Sequence, residues 1–466
     1  PRERILQQLS KKDDAYEIIA KKVEAEDRAK IEKKKVAGVS FEEKKWRVYP
    51  HGALASQMVG FVSKTNDRES GQYGVESFFE RDLAGEKGFL EGAKDASGFW
   101  IALGRKIALP SKNGSSVVLT IDYNIQTKAE EVLQDTKEKW QALSGAILVI
   151  DPQTGKILAG AGNPSFDSNE YARQKDYSVF LNPLVQSTYE AGSVMKPITM
   201  AGGLEEKLIT PDAAYQDAGV IRIDGYEIKN FDGKAYGMQT MTQVLEKSLN
   251  TGVMYVAKLL GPKRQYDYLR KFGFGEKSGV ELPGEVAGNL TNLTSGRKID
   301  FITASFGQGI AITPLQLAFA VGSVANGGNL MKPMVVEKII DDSGNVVEKK
   351  PEVRRRVFSA TAAETLTKML VSVVRTGYEN RAGVRGYFVA GKTGTAQIPN
   401  RASHGYSDKV IHTFVGYAPA FRPRFLVVLQ LNEPQGNRFA SNTLTASFHD
   451  LAEYILNYYE IPPDEK

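Results

Sequence analysis

Residues 144–162 read SGAILVIDPQTGKILAGAG, an apolar run, a turn at Pro152–Gly155, and a second run of small and apolar residues. Runs of this length around a proline–glycine turn mark two strands of a hairpin. Comparable runs return only near the other end of the chain: GYFVAGKTGTAQI at 386–398, HTFVGYAP at 412–419 and RFLVVLQLN at 424–432. Most of the text between them is helical in pattern. The spacing predicts one sheet that draws strands from both ends of residues 140–460, with a helical region inserted between them. A junction of that kind is a natural place for a cleft.

Outward from the hairpin, an amphipathic helix is expected at roughly Asn124–Trp140. Thr313-Pro314 precedes LQLAFAVGSVA and Asn326-Gly327-Gly328 follows it, which supplies a cap, a first-turn proline and a stop. That segment is apolar nearly all round, as a buried helix is. Thr361-x-x-Glu364 has capping-box spacing before TLTKMLVSVV, and a last helix is expected over Thr443–Tyr458. Ahead of the hairpin, residues 1–36 read as charged helix, with Ile18, Ile19, Val23 and Ile31 as the apolar positions. From KKWRVYPHGALASQMVGFV to LPSKNGSSVVLTID the text becomes short strands and glycine-rich turns. A module boundary near residue 140 follows, dividing the chain into 1–140 and 141–466.

With 466 residues, two to four domains are expected, and 42% hydrophobic with 25% charged residues is ordinary for globular protein. The net charge of +5 is spread along the chain, and the charges of residues 1–50 interleave, which fits solvated helix faces better than a nucleic-acid arm. Cysteine is absent, which excludes a thiol nucleophile, a disulfide framework and cysteine-bound metal. The four histidines, His51, His404, His412 and His449, have no metal-ligand spacing. No apolar run is long enough to span a bilayer as a helix. The chain begins at Pro1 directly in charged text, which reads as a fragment or processed form.

Three short motifs carry chemistry. S-x-x-K occurs at Ser193–Lys196 and Ser295–Lys298; S-x-N at Ser111–Asn113, Ser248–Asn250 and Ser343–Asn345; K-[ST]-G at Lys277–Gly279 and Lys392–Gly394. Context separates them. Ser193 opens the apolar helix of YEAGSVMKPITMAGGL, Ser248-Leu249-Asn250 interrupts two helical stretches, and Lys392-Thr393-Gly394 lies within a strand. Ser295 lies in a polar loop, Ser343 in the turn DDSGNV, Ser111 before the proposed catalytic module, and Lys277 in a charged glycine-rich connection.

A serine hydroxyl is a poor nucleophile until a base takes its proton. Lys196 shares a helix face with Ser193, and it acts as that base only if burial beside a second cation such as Lys392 lowers its pKa. Ser248 is placed to relay a proton to the leaving amine. Asn250 offers an amide donor and acceptor for a peptide backbone. Lys392, Thr393 and Thr395 are candidates to hold a substrate carboxylate, and Gly394 for close approach of substrate to the strand. The backbone N–H groups of Ser193 and Thr395 form the candidate oxyanion hole, each donor worth about 3 kcal/mol. Pro197 disfavours helical angles at Lys196, so an irregular first turn is expected. No metal or cofactor is called for.

S-x-x-K, S-x-N and K-T-G in that order form the signature of penicillin-binding proteins and class A β-lactamases. Together with SLNTGVMYVAKLLG, KFGFGEKSGVELPGE, SFGQGIAITPLQLAFAVGSVANGG, VAGKTGTAQIP and, in the leading region, GQYGVESFFERDLAGEKG, they make the chain closely similar to the class B penicillin-binding proteins. Leu249 stands where the signature has Asp. The resemblance implies a multi-domain α/β chain. Residues 1–140 would be a non-catalytic α+β pedestal of dimerisation type, and 141–466 a transpeptidase domain of antiparallel sheet, flanking helices and helical subdomain. It further implies D,D-transpeptidation of peptidoglycan stem peptides through a Ser193 acyl-enzyme, with β-lactams acylating the same serine. The partners it implies are a polytopic membrane glycosyltransferase and other cell-wall synthesis or divisome proteins. It places the chain outside the cytoplasm, on a single membrane anchor before Pro1. FGFGEKSGVELPGE and GQGIAITPLQLA resemble septal members more than elongation members.

Three rival readings remain. A serine β-lactamase shares the motifs, and Glu285-Val-Ala-Gly-Asn289 loosely matches the spacing of a deacylating Glu, although it follows an ELPG that transpeptidases also carry. A non-catalytic β-lactam-binding scaffold or sensor would retain Ser193 without cross-linking. A Ser–His–Asp hydrolase needs a G-x-S-x-G elbow, whereas Ser193 sits in A-G-S-V-M.

Overall fold

The computed structural model describes residues 2–11, 17–42, 44–65, 68–91, 107–400 and 405–465. By compactness the chain falls into two units, Pro1–Val48 and Tyr49–Lys466. The first holds helices Arg2–Leu9 and Ala25–Lys33, and neither buries a residue. The helix expected over 1–36 is thus two short ones, residues 17–24 being non-helical and 12–16 lying outside the described residues. Helices gain most of their stability from packing, and exposed pairs such as Arg28–Glu32 add well under about 1 kcal/mol.

In the second unit, strands β1 (Ser144–Ile150), β2 (Ile157–Asn163), β3 (Ala390–Pro399), β4 (Tyr406–Ala418) and β5 (Phe425–Asn432) form one sheet in the order β3-β4-β5-β1-β2. Every neighbouring pair is antiparallel, with Leu148 opposite Val428, Leu429 opposite Phe414 and Val415 opposite Lys392. The expected sheet from both ends of the chain is therefore present. Asp151 shapes the β1–β2 turn by accepting from Gln153 N and Thr154 Oγ1.

The sheet is covered on both faces, which is why its strands read as unbroken apolar runs. Successive strand residues point to opposite faces. Phe414 packs on Phe448 of a C-terminal helix α7 (Thr445–Tyr458), at 4.7 Å between ring centroids. Tyr417, three residues on, meets Thr367 of α6 (Ala360–Ser372) on the other face, hydroxyl to hydroxyl at 2.9 Å. Helix α1 (Tyr123–Lys139) joins α7 through Thr136 and Ser447, whose hydroxyls lie 2.7 Å apart. The fully buried α5 (Pro314–Ala325) lies beside β1 and β5 on the α6 face.

Thr313 and Gln316 form the capping box of α5, in keeping with the proline start and Asn326 stop. The box expected at Thr361 is not the cap of α6. Ser359 takes that place, accepting from Ala362 N at 3.2 Å, and Glu364 pairs with Lys368 instead. The last helix is broken at Leu444 into Ala440–Thr443 and α7.

Strand Ser116–Leu119 pairs with Val336–Ile340, and the Thr120 hydroxyl lies 2.7 and 2.8 Å from the carbonyls of Ile157 and Met334. The leading region is thus tied to the sheet, and residue 140 falls at the end of α1, inside the second unit. Further forward, hairpin Phe61–Thr65/Arg68–Gln72 and strands Phe89–Glu91 and Ile107–Leu109 match the expected short-strand text. Residues 66–67 and 92–106 lie outside the described residues.

The inserted region supplies α2 (Lys196–Glu205), α3 (Met241–Glu246) and α4 (Asn250–Lys271), the last broken at Gly261-Pro262. Edge strand β3 faces the turn that enters α2. Among the described residues no helix is long and apolar enough to cross a membrane.

Candidate active site

Ser193 lies in a single 3₁₀ turn, Gly192–Met195, that leads into α2. Lys196 takes helical angles (φ −58°, ψ −40°) despite the following proline. The irregularity expected from Pro197 is found in the preceding turn, and Pro197 itself sits where the helix needs no N–H. Gly192, at φ +63°, makes the sharp entry. The turn lies on β3 at Gly394, where a Cβ would stand 2.6 Å from Ala191 O. Gly394 thus admits the chain's own serine turn, and its smallness has a cause other than the substrate approach expected of it.

Lys196 and Lys392 are 0% and 1% exposed, and neither forms an ion pair with a carboxylate among the described residues. Both converge on Ser248, whose Oγ is 3.2 Å from Lys196 Nζ and 3.0 Å from Lys392 Nζ. Lys196 Nζ also donates to the Ser248 carbonyl. Burial first, and the Lys392 charge second, hold the Lys196 amine well below the ordinary lysine range. Ser248 sits between α3 and α4 at φ +54°, a left-handed conformation that costs a serine on the order of 1 kcal/mol and is kept at functional sites. Asn250 opens α4 and spends one amide N–H on Lys229 O at 2.9 Å.

The remaining Lys392 donors go to Tyr378 OH (3.2 Å) and Thr393 O (3.1 Å), so all three of its N–H bonds are used within the site. Tyr378 OH also receives Thr393 N and Thr393 Oγ1, at 2.8 and 2.9 Å. Thr393 is buried; Thr395 is half-buried, and its Oγ1 accepts from Ala440 N at 3.1 Å. Opposite Thr395, the buried His412 lies between Thr443 Oγ1 (2.9 Å) and Arg438 O (3.2 Å). Burial lowers its pKa to about 4, so it is a neutral structural link.

Hydrogen bonds join Lys196, Ser248, Lys392 and Thr393; Ser193 is brought to them by its turn, which lies on β3 at Gly394 beside Thr395, and Asn250 lies next but one to Ser248. The decoys go elsewhere. Ser295 bonds to Asp300, Ser343 lies in the β-turn before Val346–Glu348, and Lys277 is exposed. Glu285 accepts from Ser278 and from Gly279 N, as part of a loop. Tyr378 and Glu190 were not legible in the sequence. Tyr378 follows a π-helical turn, Val373–Gly377, that no residue pattern announces. Glu190 Oε1 accepts from Gly309 N (3.1 Å) and Oε2 from Tyr406 OH (2.9 Å), and burial raises its pKa.

Residues 145–453 match the penicillin binding protein transpeptidase domain and residues 1–119 the penicillin-binding protein dimerisation domain. The chain belongs to the class B penicillin-binding proteins, the peptidoglycan D,D-transpeptidases. It is 32% identical to stage V sporulation protein D of Bacillus subtilis, over 95% of this chain and 69% of that protein. It is 34% identical to penicillin-binding protein PbpB of Mycolicibacterium smegmatis, over 91% and 66%. The chain thus spans about two thirds of the length of these class B relatives. Among solved structures, penicillin binding protein 3 of Mycobacterium tuberculosis superposes with a TM-score of 0.79 at 32% identity, covering 89% of this chain and 91% of that one. That class B protein has also been solved in complex with aztreonam and with ampicillin.

Proposed function

We propose that this chain cross-links peptidoglycan stem peptides through an acyl-enzyme on Ser193, and that β-lactams acylate the same hydroxyl. The observation that carries the residue roles is the pair of buried amines, Lys196 and Lys392, meeting at Ser248 with no carboxylate ion pair among the described residues. A lysine so placed gives up its proton far more readily than an ordinary lysine, and its neutral form has a lone pair to take the Ser193 proton.

Ser193 Oγ attacks the carbonyl of the penultimate D-Ala while its proton passes to Lys196 Nζ. The backbone N–H groups of Ser193 and Thr395 stabilise the resulting oxyanion. A Cβ on Gly192 would stand 3.0 Å from the Thr395 carbonyl oxygen, so that carbonyl faces the serine turn on the strand's outer edge, which supports this pairing, since the N–H and C=O of one strand residue point to the same side. The C–N bond then breaks. The terminal D-Ala leaves as an amine, protonated from Lys196 through Ser248 Oγ. An amine of a neighbouring stem attacks the ester, loses a proton along the same path, and Ser193 regains its hydrogen. Asn250 keeps an amide oxygen for a substrate N–H. Because the Lys392 donors and the Thr393 hydroxyl are spent inside, the substrate carboxylate falls mainly to the hydroxyl of Thr395, which accepts from Ala440 N and keeps its own hydrogen to donate.

The likeness of FGFGEKSGVELPGE and GQGIAITPLQLA to septal members supports a role in division, with elongation as the alternative. In the family arrangement the catalytic module stands outside the cytoplasm on one N-terminal membrane helix, beside a polytopic glycosyltransferase. A thioester donor with a D-amino acid acceptor tests the activity. Wild type should release thiol and form the transfer product, and Ser193→Ala should do neither. Drug binding without transfer by wild type would favour a sensor, and rapid benzylpenicillin turnover a lactamase.

A further inference from the structure

Glu190, three residues before Ser193, has no part in the proton path above, yet its carboxylate joins two other segments. Gly309, which donates to Oε1, belongs to a stretch that runs beside the serine turn. Tyr189 and Ile312 exchange backbone hydrogen bonds at 2.9 and 3.0 Å, and Gly192 N donates to Gly307 O at 3.3 Å. Glu190 ties that seam together between its two backbone contacts. Its other oxygen receives the hydroxyl of Tyr406, the first residue of β4, whose partner β3 carries Lys392–Thr395. One half-buried carboxylate therefore links the nucleophile's turn, the 307–312 stretch behind it, and the hairpin that bears the other half of the site. It forms no ion pair among the described residues, so compensation of a cation does not explain its burial.

We propose that Glu190 is a positioning residue for acylation: it fixes the Ser193 turn between residues 307–312 and the β3–β4 hairpin, so that the N–H groups of Ser193 and Thr395 converge on one oxygen. It touches no substrate. The inference rests on the reading of Ser193 as the acylated nucleophile.

Stopped-flow acylation by a fluorescent penicillin separates the limiting rate k2 from the dissociation constant K of the preceding complex. Glu190→Ala should lower k2 about 10- to 100-fold, the cost of a misplaced reacting group, and leave K within about threefold. Glu190→Gln keeps an oxygen for Gly309 N–H and gains a donor toward Tyr406, so it should recover most of the rate. Tyr406→Phe should lower k2 about 3- to 10-fold, and Glu190→Ala/Tyr406→Phe should be no slower than Glu190→Ala, because both remove one shared tie. An unchanged k2 in Glu190→Ala, a change confined to K, or a Gln variant as slow as Ala overturns the proposal. Should Glu190→Ala not fold, Tyr406→Phe decides, and a wild-type k2 there overturns it. A wild type that is not acylated on Ser193 would instead defeat the underlying reading.

Discussion

Ser193–Lys196 and Ser295–Lys298 share a four-residue pattern but are opposite environments. Lys196 is fully buried beside a second amine, whereas Lys298 is exposed at the start of a short helix. The Ser193 turn rests on an edge strand of the sheet; Ser295 is spent on Asp300, which also holds Arg297 at 2.9 Å. The pattern specifies only that a hydroxyl and an amine are near each other. What makes chemistry of it is burial, which together with the Lys392 charge lowers the amine's pKa, and the Ser248 and Lys392 that meet there come from far away in sequence.

The largest effect should come from the nucleophile. Ser193→Ala should lose at least about a thousandfold in acylation rate, and Ser295→Ala should match wild type in the same gel assay. Equal losses at both serines would erase the distinction between the two regions.

Lys196→Met should cost about 10²–10⁴-fold in acylation, while Lys298→Met is silent. The same substitution should stabilise the fold. The Lys196 pKa is lower in the folded site than in the unfolded chain, so the unfolded state binds more protons between the two values. Stability from this group therefore rises with pH between its depressed folded value and the ordinary lysine value. Removing the amine should raise stability at pH 7 and flatten that rise, as read from denaturant melts across pH. A destabilised, equally pH-dependent variant would contradict a lowered Lys196 pKa.

Lys392→Met should slow acylation about 10²-fold and move the inflection of the rate's acidic limb to higher pH, because the Lys392 charge is one cause of the lowered Lys196 pKa. Because neutral Lys196 is the active form, the rate should fall as pH drops through its pKa. The removal of Lys392 alone relieves part of the depression, since burial is its larger cause. An unmoved inflection would show that the second amine plays no electrostatic part.

Tyr378→Phe removes the hydroxyl shared by Lys392 and Thr393 and should slow acylation about 3- to 10-fold, with thermal stability reported alongside by calorimetry. The smallest effect belongs to Glu285→Ala, which should leave deacylation of the penicilloyl-enzyme unchanged. A slower hydrolysis there would revive the lactamase reading.

The sheet was legible because β1, β4 and β5 are covered on both faces and so leave unbroken apolar runs. The α5 boundaries were legible because Thr313, Pro314 and Asn326 act locally. Thr361 misled because capping-box spacing recurs by chance, and only the backbone at Ser359 decides which hydroxyl turns inward. Gly394 was legible as a close approach but not as to what approaches. Tyr378 and Glu190 gave no signal, since their partners at 392–393, 309 and 406 are brought to them by tertiary packing.

Intact mass and peptide mapping after penicillin treatment test the central claim most directly. A single stable adduct on the peptide carrying Ser193, absent in Ser193→Ala and retained in Ser295→Ala, is the predicted result. An adduct on another residue, or none on folded protein, would contradict it.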